Sequence, residues 1–368
     1  MDRYPLIDLG PQYRLVRSDV LAAVEGVLDG GQYILGDEVR ELERAMAAYC
    51  GTEAAVAVGN GTDAIALLLR AFDVGPGDEV ITTPFTFFAT AEAILEAGAT
   101  PVFADVDPRT FLLTPDAVER RVSARTRAVL LVHLFGQMPD MAAMRALTER
   151  HNLHLFEDAC QAVGATWDGH GIGSLGDGAA LSFFPTKNLG GCGDGGMVLL
   201  HDRERAERIR RLRAHGSARR YEHEEVGCNS RLDEIQAAIL RRKLRHLEAW
   251  TEERIALAER YGELLQGLPL VLPLRAERSR HVYHLYTVRT PHRDALSDAL
   301  AAAGIESRAY YPIPLHLQPA LAALGHRAGD FPVAEELSRE VLSLPLYPGL
   351  GAEAQAFISA RVREFFAR

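Results

Sequence analysis

The chain has 368 residues, 48% of them hydrophobic, with 40 Lys and Arg against 50 Asp and Glu and a net charge of −10. This size supports one large buried core and a second, smaller one, and the negative field argues against a nucleic-acid partner despite the Arg-rich stretch from Arg203 to Arg220. No run approaches the roughly 18 apolar residues of a membrane span, and MDRYPLIDLG is not a basic start followed by an apolar segment, so a cytoplasmic protein is expected.

Short runs rich in Val, Ile, Leu and Phe recur in chain order at Ala54–Val58, Glu79–Thr82, Pro101–Asp105, Ala128–Val132, Leu153–Glu157, Ala179–Phe183 and Met197–Leu200. Strands buried on both faces have this composition. Between several of them lie segments with helical spacing, Thr62–Phe72, Ala89–Glu96, Thr114–Val122 and Met141–Arg150. The alternation predicts an α/β fold with a mostly parallel seven-stranded sheet and helices on both faces. From Leu232 to Leu268 the pattern is wholly helical and predicts one long connecting helix. Beyond it, strands are expected at Val282–Arg289 and Ile305–Tyr311, and helices at Arg293–Ala303, Ala334–Leu342 and Ala352–Ala367. The expected division is a large domain over 1–245 and a small α+β domain over 246–368. Cys50, Cys160, Cys192 and Cys228 form no CxxC pair and have no companion His at ligand spacing. They read as reduced, mostly buried thiols, with no metal site.

The densest chemical signal is FEDACQAVGA followed by SFFPTKNLGGCGDGGMV, which places Asp158 at the end of one expected strand and Lys187 in the turn after another. In a parallel sheet, ligands gather at the carboxyl ends of strands, so both side chains can reach one pocket. Pyridoxal chemistry asks a protein for a lysine to hold the aldehyde, a carboxylate on the pyridine nitrogen and a cradle for the phosphate. Asp158 suits the carboxylate role, though an Asp at a strand end also caps turns. Lys187 follows Phe183, Phe184 and Pro185, an apolar setting that lowers the basicity of an amine; the alternative is a solvated turn lysine. GNGTDA at Gly59–Ala64 opens a helix and offers backbone N–H groups and the Thr62 hydroxyl to an anion; read alone, it is equally a helix cap formed by Asn60 or Thr62. Ser182 adds a hydroxyl for the same phosphate. In PFTFFAT, Phe87 is the candidate for stacking on a flat heteroaromatic ring, against the plainer reading of paired core phenylalanines.

Taken in order, GNGTDA, FTFFAT, EDACQ, SFFPTKNLG, GCNSRLDEIQAAIL and YYPIPLHLQPAL resemble the DegT-type sugar aminotransferases, which share the fold of aspartate aminotransferase. The resemblance spans nearly the whole chain. It implies pyridoxal 5'-phosphate held by Lys187 as a Schiff base, with Asp158 on the pyridine nitrogen and Gln161 near the ring hydroxyl. It also implies Phe87 on the ring face and Gly61, Thr62 and Ser182 around the phosphate. Asn229 corresponds to the Asn that reaches the neighbouring subunit's cofactor phosphate, which implies a homodimer with shared sites; without the family it reads as a loop residue capping the helix near Leu232. The implied amino donor is L-glutamate and the acceptor a nucleotide-linked keto sugar. Tyr311 and His316 are the implied sugar contacts, although Tyr, Pro and His also build ordinary loops. YYPIPLHLQP is closer to C3-aminating than to C4-aminating members. Glu306 and Arg308 stand where relatives carry small or neutral residues; Arg308 suits a carboxylate or phosphate, or an ion pair with Glu306 or Glu335. A dehydratase of the same fold would replace the lysine with His, a regulatory protein would keep the fold without turnover, and a nicotinamide dehydrogenase would need a GxGxxG between an early strand and its helix, which is lacking here.

Overall fold

The computed structural model describes residues 3–219 and 221–367; Met1, Asp2, Arg220 and Arg368 lie outside it, and with them the first residues of MDRYPLIDLG and the last of the Arg-rich stretch. A seven-stranded sheet runs through the larger part. Its strands are β1 (Ala54–Val58), β2 (Glu79–Thr82), β3 (Thr100–Phe103), β4 (Thr126–Val132), β5 (His154–Asp158), β6 (Gly178–Ser182) and β7 (Gly196–Leu200). Their spatial order is β1, β7, β6, β5, β4, β2, β3, with β7 antiparallel to both its neighbours and the remaining pairs parallel.

The reason these runs are so uniformly apolar is visible in how they alternate. Val56, Leu130, Phe156, Ala180 and Val198 enter one hydrophobic layer, and the residues beside them, Ala57, Leu131, Leu155, Leu181 and Met197, enter the other. Successive side chains of a strand point to opposite faces, so a sheet covered on both sides needs apolar residues at every position. Fully burying a side chain such as Phe156 contributes roughly 1.5–3 kcal/mol.

Helices α1 (Gly10–Gly30) and α2 (Asp37–Cys50) precede the sheet, α3 (Gly61–Ala71) follows β1, and α4 (Ala89–Glu96) follows β2. Further along come α5 (Pro115–Glu119), α6 (Met141–His151) and α7 (Arg203–Leu212). The expected single helix over Leu232–Leu268 is two, α8 (Glu234–Leu244) and α9 (Leu247–Leu265). Its halves serve different layers: α8 packs on α1 and α2, whereas α9 buries Leu257, Ala258, Tyr261 and Leu265 in the C-terminal core. The chain turns at Arg245 and His246, where the His246 ring stacks on Trp250.

That C-terminal core includes α10 (Arg293–Ala302), α12 (Ala352–Phe366) and a two-stranded antiparallel pair, β8 (Tyr286–Arg289) with β9 (Val341–Leu344). Strand β8 is shorter than the expected Val282–Arg289. The expected strand over Ile305–Tyr311 does not form; Ile305 and Arg308 make only isolated bridges, to Tyr4 and Ser343. The helix expected to run to Leu342 is α11 (Pro332–Glu340) and stops where β9 begins. Of the four thiols, Cys50 is buried but Cys192 is exposed, in a Gly-rich loop whose backbone is held by Gln236.

Candidate active site

Strand pairing places Asp158 beside Ala180, so β5 and β6 end together with Asp158 and Ser182 at the same edge. The next turn carries Lys187, whose N–H donates to the Phe184 carbonyl at 2.9 Å. Helix α3 begins at this edge. Asn60 Oδ1 accepts from the Asp63 N–H at 2.8 Å, so Asn60 is the cap, and among the described residues the N–H groups of Gly61 and Thr62 have no protein partner. Two open first-turn donors at a helix N-terminus favour an anion.

The close approach depends on glycine. A Cβ on Gly61 would lie 2.9 Å from Cys160 Sγ and from Ser182 Cβ, and one on Gly196 would lie 2.2 Å from the Asn60 carbonyl oxygen. The α3 terminus is thereby pressed against the ends of β5 and β6.

A cavity of about 640 Å³ opens here, lined by Gly61, Thr62, Phe87, Asp158, Gln161, Ser182, Lys187 and Tyr311 among others. Phe87 is 57% exposed, with its ring centroid 6.0 Å from that of Tyr311, while Phe85 is fully buried; the aromatic segment thus sends one ring to the cavity and another to the core. Burial holds the Lys187 amine below its ordinary value, opposed by Cys160 and Asp158. Such an amine is readier to be neutral and to attack a carbonyl.

Asp158 caps the following turn and also lines the cavity. Its Oδ1 accepts the Cys160 N–H of the following turn at 3.2 Å, and its Oδ2 accepts from the Thr90 hydroxyl at 2.8 Å. Gln161 accepts the Phe135 N–H through Oε1 at 2.9 Å and donates through Nε2 to the Tyr311 hydroxyl at 2.9 Å. Burial pushes the Tyr311 phenol well above its ordinary range. Thr90, His284 and Cys160 also line the cavity and were not assigned roles from sequence. Thr90 lies within FTFFAT, and that is the one signal it gives.

Three expected residues stand elsewhere in the single chain. Asn229 is exposed and outside the cavity; α8 begins at Glu234 after Asp233, so Asn229 does not cap it either. His316 is buried and outside the cavity lining, packed on Phe331, with Nε2 3.1 Å from Glu335. Arg308 is exposed and lines a separate surface pocket with Arg3, Leu6 and Ser297. Glu306 pairs with Arg3 and Glu335 with His316, and Arg308 acts on Glu306 only through its nearby charge. Among the described residues no group of three or more His, Cys, Asp and Glu side chains is placed to hold a metal ion, and no helix is long and apolar enough to cross a membrane.

The arrangement offers an amine of lowered basicity, a carboxylate and an anion cradle around one cavity. A model of the DegT/DnrJ/EryC1/StrS aminotransferase family matches residues 15–363. The chain belongs to this family. It is 48% identical over 365 residues to a protein of Geobacillus stearothermophilus named a pleiotropic regulatory protein, covering 98% of each chain. It is 46% identical over 360 residues to the UDP-N-acetyl-3-dehydro-alpha-D-glucosamine 3-aminotransferase of Acidithiobacillus ferrooxidans, covering 98% of this chain and 97% of that one. The crystal structure of DesV from S. venezuelae, in complex with a ketimine intermediate, superposes with a TM-score of 0.98 at 46% identity, each chain covered completely. Solved chains of 25–31% identity include forms carrying pyridoxal or pyridoxamine phosphate. The expected fold and family therefore hold.

Proposed function

We propose that this aminotransferase uses pyridoxal phosphate to move the amino group of L-glutamate to a nucleotide-linked 3-keto sugar, releasing 2-oxoglutarate and an amino sugar nucleotide. The observation that carries the reading is the convergence of Lys187, Asp158 and the open α3 terminus on one cavity. The 3-keto choice draws on YYPIPLHLQP and on the name of the Acidithiobacillus relative.

The residues fit the cofactor. Gly61, Thr62 and Ser182 would hold its phosphate, Asp158 its pyridine nitrogen, Gln161 the neighbourhood of its ring hydroxyl, Phe87 its face and Lys187 its aldehyde carbon. Bound there, pyridoxal phosphate supplies a carbonyl for the amine and a ring that draws charge from the carbon losing its proton. Asp158, fixed by two hydrogen bonds, presents its carboxyl group to the cavity. Lys187 Nζ, its basicity lowered by burial, takes up and returns the proton of the reacting carbon. Tyr311, tied to Gln161, forms part of the cavity wall.

The same reading includes a homodimer in which Asn229 of each subunit completes the other's phosphate site; its exposure and distance from its own cavity support this. It also includes a cytoplasmic location and a division at residue 245, supported by the break between α8 and α9. A regulatory protein without turnover is the second reading, favoured by the name of the Geobacillus relative. Borohydride reduction of the cofactor-loaded protein, followed by peptide mapping, should place the pyridoxyl group on Lys187. Label on Lys243 would overturn the assignment; a labelled Lys187 without glutamate-driven bleaching of the cofactor would favour the regulatory reading.

A further inference from the structure

His284 is a buried side chain in the cavity wall that the proposed chemistry leaves unused. Its backbone N–H donates to the Phe135 carbonyl at 2.8 Å, which pins the residue beside Gln161. Its Nδ1 lies 3.3 Å from Asn188 Oδ1. The orientation of Asn188 is set independently, because its Nδ2 donates to the Val282 carbonyl at 3.2 Å. A carbonyl oxygen only accepts, so the Asn188 NH₂ faces Val282 and its oxygen faces His284. That oxygen also only accepts, so the imidazole proton resides on Nδ1 and the lone pair on Nε2.

Among the described residues Nε2 has no hydrogen-bond partner in the protein, and it is not one of the fully buried polar atoms left unpaired. It therefore opens to the cavity that His284 lines. Burial, with Lys187 and Arg254 nearby, holds the imidazole well below its ordinary value and in this neutral form.

We infer that His284 Nε2 accepts a hydrogen bond from a ring hydroxyl of the sugar, making His284 a substrate-positioning residue of the acceptor half-reaction. The inference rests on the sugar-nucleotide reading of this cavity. A neutral nitrogen with a lone pair repels a carboxylate and suits a hydroxyl donor. The glutamate carboxylates offer no such donor, whereas a hexose ring offers several. Asn188 follows Lys187 directly, so the turn that carries the reacting amine also sets the tautomer that reads the sugar.

The test separates the half-reactions by following cofactor absorbance in stopped flow, with whichever UDP- or dTDP-linked 3-keto hexose the wild type accepts. His284→Asn keeps a polar group near Nδ1 but lacks the Nε2 position, while His284→Gln extends an amide oxygen to it. His284→Asn should lower kcat/KM of the sugar half-reaction about tenfold and leave the glutamate half-reaction unchanged, with His284→Gln recovering most of the loss. Calorimetry should show the same about tenfold weakening for the sugar nucleotide and none for the free nucleoside diphosphate. Equal loss in both half-reactions, or in neither, would overturn the inference. A wild type that accepts no 3-keto hexose would instead overturn the proposed function on which it rests.

Discussion

The Thr90 hydroxyl donates to Asp158 Oδ2 at 2.8 Å, 68 positions apart in the chain. Thr90 Oγ1 also lies 3.1 Å from Thr86 Oγ1, and with its own proton given to Asp158 it must accept there. The pair of threonines at the head of α4 thus orients the carboxylate proposed to meet the pyridine nitrogen. Thr90→Val keeps the shape and removes the bond. Cofactor affinity, titrated by fluorescence on the apoprotein, should fall about tenfold while the circular dichroism spectrum is unchanged. Undiminished affinity would show that Asp158 needs no such support.

Burial lowers the Lys187 amine, which fixes the sign of a pH effect in the apoprotein. The unfolded chain binds a proton on this lysine up to ~10.4, whereas the folded chain releases it at lower pH. Between those values the unfolded state carries more protons, so stability rises with pH and the lysine is a cost to folding on the acid side. Lys187→Met removes the cost. Its urea midpoint should exceed that of the wild-type apoprotein at pH 7, with the gap shrinking as pH approaches ~10. A gap independent of pH would mean that Lys187 titrates normally.

Asn229 is exposed and lies outside the cavity of its own chain. In the shared-site reading, Lys187→Ala lacks the amine and Asn229→Ala weakens the phosphate site of its partner. In a hybrid dimer one site combines the intact Lys187 of one subunit with the intact Asn229 of the other. Equal mixing with subunit exchange should restore activity to about a quarter of wild type, since half the dimers are hybrids and each has one complete site. An exchanged mixture no more active than the average of its parents would count against a shared site.

Lys187, Asp158, Ser182, Gly61 and Phe87 were legible in the sequence because each lies at the end of a run whose composition marks a buried strand, and strand ends define where ligands gather. The bonds that organise them were not legible. Gln161 meets Tyr311 across 150 positions, and Asn188 meets His284 across 96, and no local period encodes such pairs. The same limit applies to the C-terminal region. Val341–Leu344 is a short apolar run that continues a helical pattern, and only its pairing with Tyr286–Arg289 makes it a strand. At Arg245 and His246 the apolar spacing runs on without a Gly or Pro, but the layers that α8 and α9 cover differ, so the chain turns where the sequence gives no signal.

Regiochemistry and charge at the sugar can be tested together. YYPIPLHLQP supports amination at C3, and Tyr311 from this segment lines the cavity, so a 3-keto sugar should be preferred over its 4-keto isomer in kcat/KM. Arg308, three residues earlier, suits an anion by its planar fork but is exposed on a separate pocket with Arg3 and Ser297. An exposed guanidinium away from the reacting carbon contributes little through solvent, with exposed ion pairs worth about 1 kcal/mol or less. Arg308→Ala should therefore change kcat/KM by less than about fivefold, and equally for a sugar with a C6 carboxylate and for its 6-deoxy counterpart. A selective loss toward the carboxylated sugar would place Arg308 at the substrate after all, through a movement of the C-terminal region or through a neighbouring subunit. A clear preference for the 4-keto isomer would overturn the C3 assignment and leave the aminotransferase chemistry of Lys187 untouched.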